Sequence, residues 1–256
     1  MSPGPAAQYP PTHTGRTAVV TGAAGGFGRA IATEFARRGA DIIAIDQRAA
    51  DATVESVREI GRRGLALRGD LSDPDQVAAL TPELLGFAGR VDILVNNAGV
   101  FPFADVFELN FAQWKRTHEI NVDSQFLMTK AVIGPMREAG WGRIVNLASN
   151  SLGLAVPRMT HYMASKGAVV GFTRALASDL APFGITVNAI APTASRTPGG
   201  EQFIGEEILQ AVAGMQAIKR IGTAADIVGT ACFLSSEDSS FVTGQTIVAD
   251  GGLWRV

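Results

Sequence analysis

Short apolar runs rich in β-branched residues alternate along this chain with longer stretches whose apolar residues recur at helical spacing. The runs are apolar throughout rather than at every second position, which is typical of strands buried on both faces of a parallel sheet. Strands are predicted at residues 17–21, 41–46, 65–68, 91–95, 142–148, 185–190 and 246–249. Helices are predicted at residues 26–38, 73–87, 111–139, 160–180 and 224–234. This alternation predicts a single α/β domain, doubly wound, with a seven-stranded parallel sheet and helices on both faces.

Three segments depart from this pattern. Pro135 lies within the predicted helix 111–139 and is expected to bend or fray it. Gly and Pro interrupt residues 192–215, and such a segment late in a doubly wound fold predicts a substrate lid over about residues 193–215. The first fourteen residues hold four prolines and no apolar run. We therefore expect a flexible N-terminal tail over residues 1–14 and one folded domain over residues 15–256.

Composition narrows the class of protein. The formal net charge is −2 and the Lys and Arg residues are scattered, so the sequence lacks the basic stripe that nucleic-acid binding requires. Cys232 is the only cysteine, which excludes an intrachain disulfide and a cysteine-based metal site. His13 and His118 have no partner pattern, and we expect no metal. The sequence shows neither a secretory signal nor a bilayer-spanning run, so we expect a soluble, cytoplasmic protein without membrane partners.

The first predicted strand runs directly into a glycine-rich turn and then into a helix. The turn reads Thr21-Gly22-Ala23-Ala24-Gly25-Gly26-Phe27-Gly28. Glycines let the backbone approach a pyrophosphate closely, and the amides and dipole at the start of the following helix attract an anion. The turn therefore predicts a Rossmann-type dinucleotide site formed by Gly22, Gly26, Phe27 and Gly28. Turn geometry alone also explains glycines at a strand–helix junction.

A carboxylate, Asp46, ends the second predicted strand. In a dinucleotide site this position lies beside the adenosine ribose, where a carboxylate accepts hydrogen bonds from both hydroxyls and repels a 2′-phosphate. The repulsion is worth roughly 4 kcal/mol at about 4 Å and an effective dielectric near 20, and less when solvated. Asp46 therefore predicts NAD rather than NADP as the cofactor. A solvated acid is the alternative interpretation, and Arg48 nearby leaves NADP open.

The turn has the spacing Thr-Gly-x-x-x-Gly-x-Gly, and other motifs follow it in order. They are Asp70-Leu71 after the third strand, Asn96-Asn97-Ala98-Gly99 after the fourth, Asn121 in the next helix, Ser149 after the fifth strand, Tyr162-Met163-Ala164-Ser165-Lys166, and Pro192 to Thr197 after the sixth strand. In these motifs the chain from residue 17 onward resembles the short-chain dehydrogenase/reductase family. The resemblance implies that residues 15–256 form a dinucleotide-binding and catalytic domain that interconverts an alcohol and a ketone.

The resemblance also implies a cofactor contact for each motif. Asp70 and Leu71 would hold the adenine, and Asn97, Ala98 and Gly99 would line the middle of the cofactor. The nicotinamide end would be contacted by Tyr162, Lys166, Pro192, Thr193, Ser195 and Thr197. Thr193 stands where the family commonly has glycine and Ser195 where it commonly has isoleucine, so the contacts at these two positions are open.

By the same resemblance Tyr162 is the acid/base, Lys166 its electrostatic partner, Ser149 a donor to the substrate oxygen, and Asn121 the support of a proton-relay water. A phenol with a pKa near 10 is a poor base at neutral pH. Lys166 follows Tyr162 by one helical turn, so an ammonium about 5 Å away is expected to lower the pKa of the phenol by about two units. His161 points in a different direction, and we expect it to pack rather than to catalyse.

Residues 92–100, 119–124, 140–146 and 171–180 further resemble the bacterial 1-phenylethanol dehydrogenases of this family, and residues 147–150 resemble the pyridoxal 4-dehydrogenases. Both groups act on a carbinol next to a ring, so we expect an aryl or alicyclic secondary alcohol or ketone as the substrate. Apolar candidates for the pocket are Phe103, Leu152, Leu154, Val156, Phe203, Ile204 and Met215. Core or lid packing explains these residues equally well.

Two other functions stay open. One is a 3-oxoacyl thioester reductase that uses NADPH, against which Asp46 and the slightly acidic balance argue. The other is a catalytically silent NAD-binding regulatory protein, against which the intact set of Ser149, Tyr162 and Lys166 argues. The resemblance also implies a homotetramer, joined through the predicted helices 111–139 and 160–180 and through residues 244–256.

Overall fold

The uniformly apolar runs form parallel strands. The strands are β1 (Thr17–Thr21), β2 (Asp41–Asp46), β3 (Gly64–Arg68), β4 (Ile93–Asn96), β5 (Gly142–Leu147), β6 (Ile185–Pro192), β7 (Ser195–Arg196), β8 (Gly222–Thr223) and β9 (Thr246–Ala249). The computed structural model describes residues 11–197 and 204–255. Seven strands make one sheet in the order β3-β2-β1-β4-β5-β6-β9, and β7 pairs separately with β8. The direction of chain progression reverses between β1 and β4, and doubly wound folds bind ligands at the carboxyl ends of strands beside such a point.

Helices cover both faces of the sheet. They are α1 (Gly26–Arg37), α2 (Asp51–Glu59), α3 (Pro74–Ala88), α4 (Phe111–His118), α5 (Ser124–Ala139), α6 (Thr160–Leu180), α7 (Glu206–Met215) and α8 (Ala225–Leu234). One hydrophobic core lies between the sheet and α1, α2 and α8, and a second lies between the opposite face and α3, α5 and α6. Cys232 is buried in the first core, where burial raises the pKa of its thiol to about 12. The predicted class, a single Rossmann-type α/β domain with a seven-stranded parallel sheet, is confirmed.

The predicted helix 111–139 is not continuous. A π-helical turn, Glu119–Asp123, separates α4 from α5, whereas α5 continues through Pro135. The expected fraying at Pro135 is therefore not found, since α5 extends to Ala139. A proline removes one helical hydrogen bond, but Val132 and Met136 on either side of it are buried against the sheet and hold the helix in place. The apolar pattern also does not predict α2 or α7, and α7 lies inside the segment expected to form a lid.

The folded domain begins earlier than expected. His13 is fully buried, its ring stacks on Phe35 with centroids 4.8 Å apart, and its Nε2 lies 2.8 Å from the Ser235 hydroxyl. Burial, aided by Arg38 and Arg16, lowers the pKa of His13 to about 4. The predicted tail boundary at residue 14 is therefore wrong, because the end of the segment docks on α1 and the end of α8. Residues 1–10 lie outside the described residues.

A chain of buried amides fixes α6 to the sheet. Asn96 Nδ2 at the end of β4 donates to Asn146 Oδ1 on β5 (2.9 Å), and Asn146 Nδ2 donates to the Thr173 hydroxyl on α6 (2.9 Å). Such a satisfied polar network inside an apolar interior permits one relative placement of the strands and the helix. No helix within the described ranges has the length and apolarity to cross a membrane.

Candidate active site

The glycine-rich turn leaves no room for side chains. Gly22 and Gly26 adopt positive φ angles of 65° and 55°. A Cβ at Gly22 would lie 2.7 Å from Asn97 Nδ2, and a Cβ at Gly28 would lie 2.3 Å from the Gly22 carbonyl oxygen. The turn is therefore closely packed against the loop after β4, and its backbone is the surface that a ligand would meet.

The start of α1 has the properties of an anion site. Its N-cap residue, Gly25, has no side chain to cap the helix, and the first turn contains no acidic residue. The free amides and the helix dipole therefore have no anionic partner from the first turn. Phe27 lies in this turn and is partly buried against the first core. The predicted pyrophosphate residues Gly22, Gly26, Phe27 and Gly28 thus come together, and their cradle fits a dinucleotide.

Asp46 lies beside the glycine turn, as its position on the second strand predicts. One carboxylate oxygen accepts the Ala24 N–H (2.9 Å) and the other accepts the Arg48 N–H (2.9 Å). Arg48 Nε is 3.6 Å from the same carboxylate, and the Arg48 side chain is largely exposed. The two amides fix the carboxylate at the mouth of the cradle while each oxygen keeps a further lone pair for a ribose hydroxyl.

At the proposed adenine end, the two predicted residues behave differently. The Asp70 carboxylate accepts hydrogen bonds from Ser72 and from Arg116 Nη2 (2.9 Å). Burial acts to raise the pKa of Asp70, but these hydrogen bonds outweigh it and lower the pKa to about 2. Leu71 packs into the core, so only its backbone is available to a ligand. Sequence reasoning missed Arg116, which reaches Asp70 from α4.

The loop after β4 closes the cradle from the other side. Asn97 Nδ2 donates to the carbonyl oxygens of Thr21 (2.8 Å) and Gly22 (3.1 Å), and the N–H groups of Asn97 and Ala98 both donate to the Thr21 hydroxyl. Asn97 therefore holds the shape of the glycine turn rather than presenting its amide freely to solvent. Gly99 is exposed, and a Cβ there would lie 3.1 Å from Asn121 Oδ1.

Ser149 sits just beyond β5, at the N-cap of a short 3₁₀ helix, Asn150–Gly153. Its hydroxyl oxygen accepts the Ser151 N–H at 3.2 Å, and its interaction with the Tyr162 phenol acts to lower the pKa of that phenol. Because β5 ends at the same edge of the sheet as β1 and β4, this places Ser149 and Tyr162 beside the dinucleotide cradle.

Tyr162 and Lys166 lie one turn apart on α6, with Lys166 Nζ 5.8 Å from the centroid of the Tyr162 ring. The ammonium is 4% exposed and donates to the Leu147 carbonyl oxygen (2.6 Å), not to the phenol. Burial raises the pKa of Tyr162, which the hydrogen bond from Ser149 only partly offsets, and burial lowers the pKa of Lys166 to about 8. The pKa of the phenol is therefore shifted upward, opposite to the lowering expected from Lys166, because burial of the phenol is the largest cause of the shift.

Asn121 lies in the π-helical turn and is fully buried. Its Oδ1 accepts the Val100 N–H (2.8 Å), while its Nδ2 donates to the Val100 carbonyl oxygen and to the Ser165 hydroxyl (2.9 Å each). The Ser165 hydroxyl in turn donates to the Tyr162 carbonyl oxygen (2.7 Å). Asn121 thus ties the loop after β4 to the first turns of α6. Sequence reasoning gave Ser165 no role, although it stands inside the Tyr162 to Lys166 motif.

The segment after β6 crosses in front of the cradle. Thr197 lies next to Gly26, where an added Cβ would be 3.7 Å from the Thr197 Cβ. Pro192 ends β6, and Ser195 on β7 donates its hydroxyl to the Thr193 carbonyl oxygen (3.1 Å). The Thr193 hydroxyl is buried and has no partner in the described chain. An unpaired buried hydroxyl here fits a ligand that brings a polar group, such as a carboxamide.

The apolar pocket candidates are only partly gathered. Leu152, Leu154, Val156 and Ile204 are half-buried, whereas Phe103 and Met215 are more exposed. Residues 198–203 of the predicted lid, including Phe203, lie outside the described residues. His161 is buried, with its Nδ1 unpartnered in the described part of the chain. Burial lowers the pKa of His161, aided by His118.

Comparison with known proteins agrees with this architecture. The family model described as enoyl-(acyl carrier protein) reductase matches residues 22–254. The (2S)-[(R)-hydroxy(phenyl)methyl]succinyl-CoA dehydrogenase subunit BbsD of Thauera aromatica is 38% identical over 239 residues, covering 93% of this chain and 96% of that protein. A 3-oxoacyl-[acyl-carrier protein] reductase of Brucella melitensis with bound NAD superposes with a TM-score of 0.89 at 35% identity, covering 100% of this chain and 98% of that one. Carveol dehydrogenase of Mycobacterium avium in complex with NAD gives 0.89 at 29% identity, covering 94% and 98%.

Fold, cradle and the Ser149–Tyr162–Lys166 cluster therefore define a nicotinamide-dependent oxidoreductase that acts on alcohols or ketones. The chain belongs to the short-chain dehydrogenase/reductase family.

Proposed function

We propose that this protein transfers a hydride between NAD(H) and a secondary alcohol or ketone whose reacting carbon belongs to, or adjoins, a ring. The observation that carries the proposal is the cluster of Ser149, Tyr162 and Lys166 at the carboxyl edge of the sheet, next to a glycine cradle that side chains would obstruct.

In this proposal the phenolate of Tyr162 takes the hydroxyl proton of the alcohol during oxidation, and the phenol so formed donates that proton to the substrate oxygen during reduction. Ser149 donates a hydrogen bond to the substrate oxygen, and the Lys166 ammonium stabilises the phenolate. The bound oxidised dinucleotide supplies the hydride acceptor and a positive charge. Lys166 is anchored by Leu147 and cannot swing away from the phenol without losing a buried hydrogen bond. Asn121 and Ser165 keep α6 and the loop after β4 in register, with a relay water expected near the π-helical turn.

NAD is the proposed cofactor because Asp46 is held at the mouth of the cradle by two backbone amides. A fixed carboxylate there accepts ribose hydroxyls and repels a 2′-phosphate. The Arg48 side chain near Asp46 is largely exposed and gives a 2′-phosphate at most a solvated partner.

The substrate class is supported by the half-buried apolar side chains of Leu152, Leu154 and Val156 beyond Ser149. It is also supported by the names of relatives, which include a hydroxy(phenyl)methyl compound and carveol. A thioester substrate is the second candidate, because the same Thauera aromatica relative acts on a succinyl-CoA derivative and the Brucella melitensis relative is a 3-oxoacyl reductase.

A substrate panel with both cofactors tests the proposal. We expect oxidation of 1-phenylethanol and of cyclic secondary alcohols with NAD, with kcat/KM at least about tenfold lower for NADP, for acetoacetyl thioesters, for pyridoxal and for sugars. Activity confined to thioesters with NADPH would replace the ring substrate by the reductase alternative. Tight dinucleotide binding without turnover on any member would instead favour the silent, regulatory function.

We further propose that the protein acts in the cytoplasm as a homotetramer. Large apolar side chains project from α4, α5 and the loop before them, namely Val106, Phe107, Phe111 and Phe126, of which Phe107 is 97% and Phe111 74% exposed. Exposed apolar groups that cluster in this way are typical of subunit interfaces. Phe111 and Phe126 lie on the predicted helix 111–139, with Val106 and Phe107 in the loop before it, which supports assembly through that surface.

A further inference from the structure

A tight turn follows the last strand and gathers hydrogen bonds on one carboxylate. Asp250 accepts the N–H groups of Gly252 (2.9 Å), Leu253 (3.0 Å) and Trp254 (2.7 Å). Gly251 and Gly252 take positive φ angles of 67° and 78°, which the turn requires. Residues 250–254 are called the C-terminal turn below.

One side of the C-terminal turn holds the loop of the proposed catalytic serine. Asn150, the residue after Ser149, donates its Nδ2 to the Asp250 carboxylate at 3.1 Å. Asp250 is 3% exposed and Asn150 5%. The ring of Trp254 lies directly on Gly153 at the end of the same 3₁₀ helix, where a Cβ would come within 2.2 Å of it.

The other side of the C-terminal turn holds the segment that follows α7. Ile218 N–H donates to the Gly251 carbonyl oxygen (2.9 Å). A Cβ on Gly251 would lie 2.9 Å from Gln216 Nε2, and one on Gly252 would lie 3.0 Å from Ala217 Cβ. Gln216 is itself buried and donates to the carbonyl oxygens of Ile218 and Arg220. The C-terminal turn is therefore in close contact with residues 216–218.

We infer that the C-terminal turn joins the Ser149 loop to residues 216–221 after α7, and that Asn150 and Asp250 are positioning residues that set the Ser149 hydroxyl relative to Tyr162. Asn150 is suited to this role because a neutral amide can donate to a carboxylate that already accepts three backbone amides. Among the described residues Asp250 takes part in no ion pair, so these four donors compensate its charge. The inference rests on the proposed function for its catalytic meaning.

Asn150→Asp is the sharpest test, because the protonation state of the new carboxyl decides whether it can donate a hydrogen bond to Asp250. When the new carboxyl is protonated it donates to Asp250, and when it ionises two buried carboxylates face each other and one of their pKa values rises. We expect kcat to fall about ten- to a hundredfold below wild type at pH 9 and to recover toward it at pH 6, with KM for the dinucleotide unchanged. Asn150→Ala should lose kcat by a similar factor at both pH values. If the ratio of kcat for Asn150→Asp to kcat for wild type does not change with pH, the inference is overturned.

Asn188→Ala is the matched control. Asn188 is a buried amide that donates to the Val242 carbonyl oxygen (2.8 Å) and accepts the Gln245 N–H, before the start of β9, whereas Asp250 follows the end of β9. Its loss should lower the melting temperature while kcat stays within about twofold of wild type. An equal loss of kcat in Asn188→Ala would mean that the effect at Asn150 is general destabilisation, which contradicts a positioning role.

Backbone hydrogen exchange separates this inference from the proposed function. In Asn150→Ala we expect faster exchange at residues 216–221 as well as at 150–154, and in Asn188→Ala at neither. This readout needs no substrate. If wild type turns over no alcohol or ketone, the proposed function fails. The exchange result still tests whether the C-terminal turn connects the Ser149 loop to residues 216–221. Unchanged exchange at residues 216–221 in Asn150→Ala would disprove the connection even in an active enzyme.

Discussion

In the proposed mechanism the hydroxyl of Tyr162 takes up and releases a proton, so removing that single atom should separate binding from chemistry. Tyr162→Phe keeps the ring and its burial. We expect kcat to fall about a thousandfold while the dissociation constant for NAD, measured by fluorescence titration, changes less than about twofold. Thr160→Val, at the exposed start of α6, should leave both quantities near wild type. Substantial turnover by Tyr162→Phe would remove the tyrosine from the acid/base role.

Asp46 should control the choice of cofactor. Asp46→Asn removes the charge, and we expect the ratio of kcat/KM for NADP to that for NAD to rise about ten- to a hundredfold. Part of the NAD affinity should be lost as well, since one amide oxygen replaces two carboxylate oxygens that now accept from Ala24 and Arg48. Asp51→Asn, an exposed acid at the start of α2, is the control and should leave the ratio unchanged. An unchanged ratio in Asp46→Asn would mean that NAD preference has another origin.

At the residue scale, sequence reasoning identified side chains that stand in local motifs and missed their distant partners. Asp46, Ser149, Tyr162 and Lys166 are marked by short spacings along strands and helices. Arg116 gives no local signal, since it meets Asp70, 46 residues away along the chain, only in the folded protein. The raised pKa of Tyr162 could not be foreseen either, because it depends on burial that only the assembled site provides.

Gly28→Ala tests the glycine-rich turn that is proposed to bind the dinucleotide, and Gly86→Ala is its matched control. Gly28→Ala places a Cβ 2.3 Å from the Gly22 carbonyl oxygen, whereas Gly86→Ala, inside α3, meets nothing within 4 Å. We expect Gly28→Ala to lose several kcal/mol of stability, by analogy with overpacking, and at least about a hundredfold in NAD affinity. Gly86→Ala should gain about 0.5 to 1 kcal/mol from helix propensity and bind NAD normally. Calorimetric titration and denaturant unfolding measure both. Normal NAD binding by Gly28→Ala would contradict the close approach described for the turn.

The docked N-terminal segment should make stability depend on pH. The pKa of His13 is about 4 in the folded protein and 6.5 without burial. Between these values the unfolded chain binds the proton and the folded chain does not, so stability is lost as pH falls from about 6.5 to 4, by roughly 3 kcal/mol in all. His13→Phe cannot titrate, and the gap in melting temperature between wild type and this variant should shrink from pH 7.5 to pH 4.5. Ser235→Ala keeps the imidazole and should keep the pH dependence. A gap independent of pH would show that the pKa of His13 is the same in the folded and unfolded states.

At the element scale, periodicity predicted the sheet closely and the helices less well. Strands buried on both faces give apolar runs with sharp ends, so β1 and β2 agree at both ends with prediction. The half-buried edge strand β9 agrees at both ends as well. The spacing of apolar residues does not reveal the π-helical turn, because α4, this turn and α5 follow one another in the chain without a gap and only the helical register changes. Helix α2 contains few apolar residues, and α7 stands in a segment whose Gly and Pro residues indicate a loop.

For the whole molecule, the exposed apolar surface on α4 and α5 predicts assembly. Phe111→Glu should shift the mass in light scattering from tetramer to a smaller species, because a charge cannot be buried there without a partner. Phe233→Glu, on the partly exposed side of α8, should leave the mass unchanged. A monomeric wild type, or a tetrameric Phe111→Glu, would rule out this surface as the contact.

The whole architecture was predictable because alternation of strands and helices permits few topologies. The docking of residues 11–14 and of the C-terminal turn was not, since each depends on a pair of side chains far apart along the chain, such as His13 with Ser235.

The central place of β1 in the sheet also bears on how the protein is made. Its register with β2 is set early in synthesis, but its other edge pairs Ala18 with Ile93, which emerges much later. Until β4 has been synthesised, one edge of β1 has unpaired backbone N–H and C=O groups. Such an edge can pair with a strand of another chain and lead to aggregation. Recovery of denatured protein should therefore be best at high dilution, and chaperones that shield extended apolar segments should raise the yield.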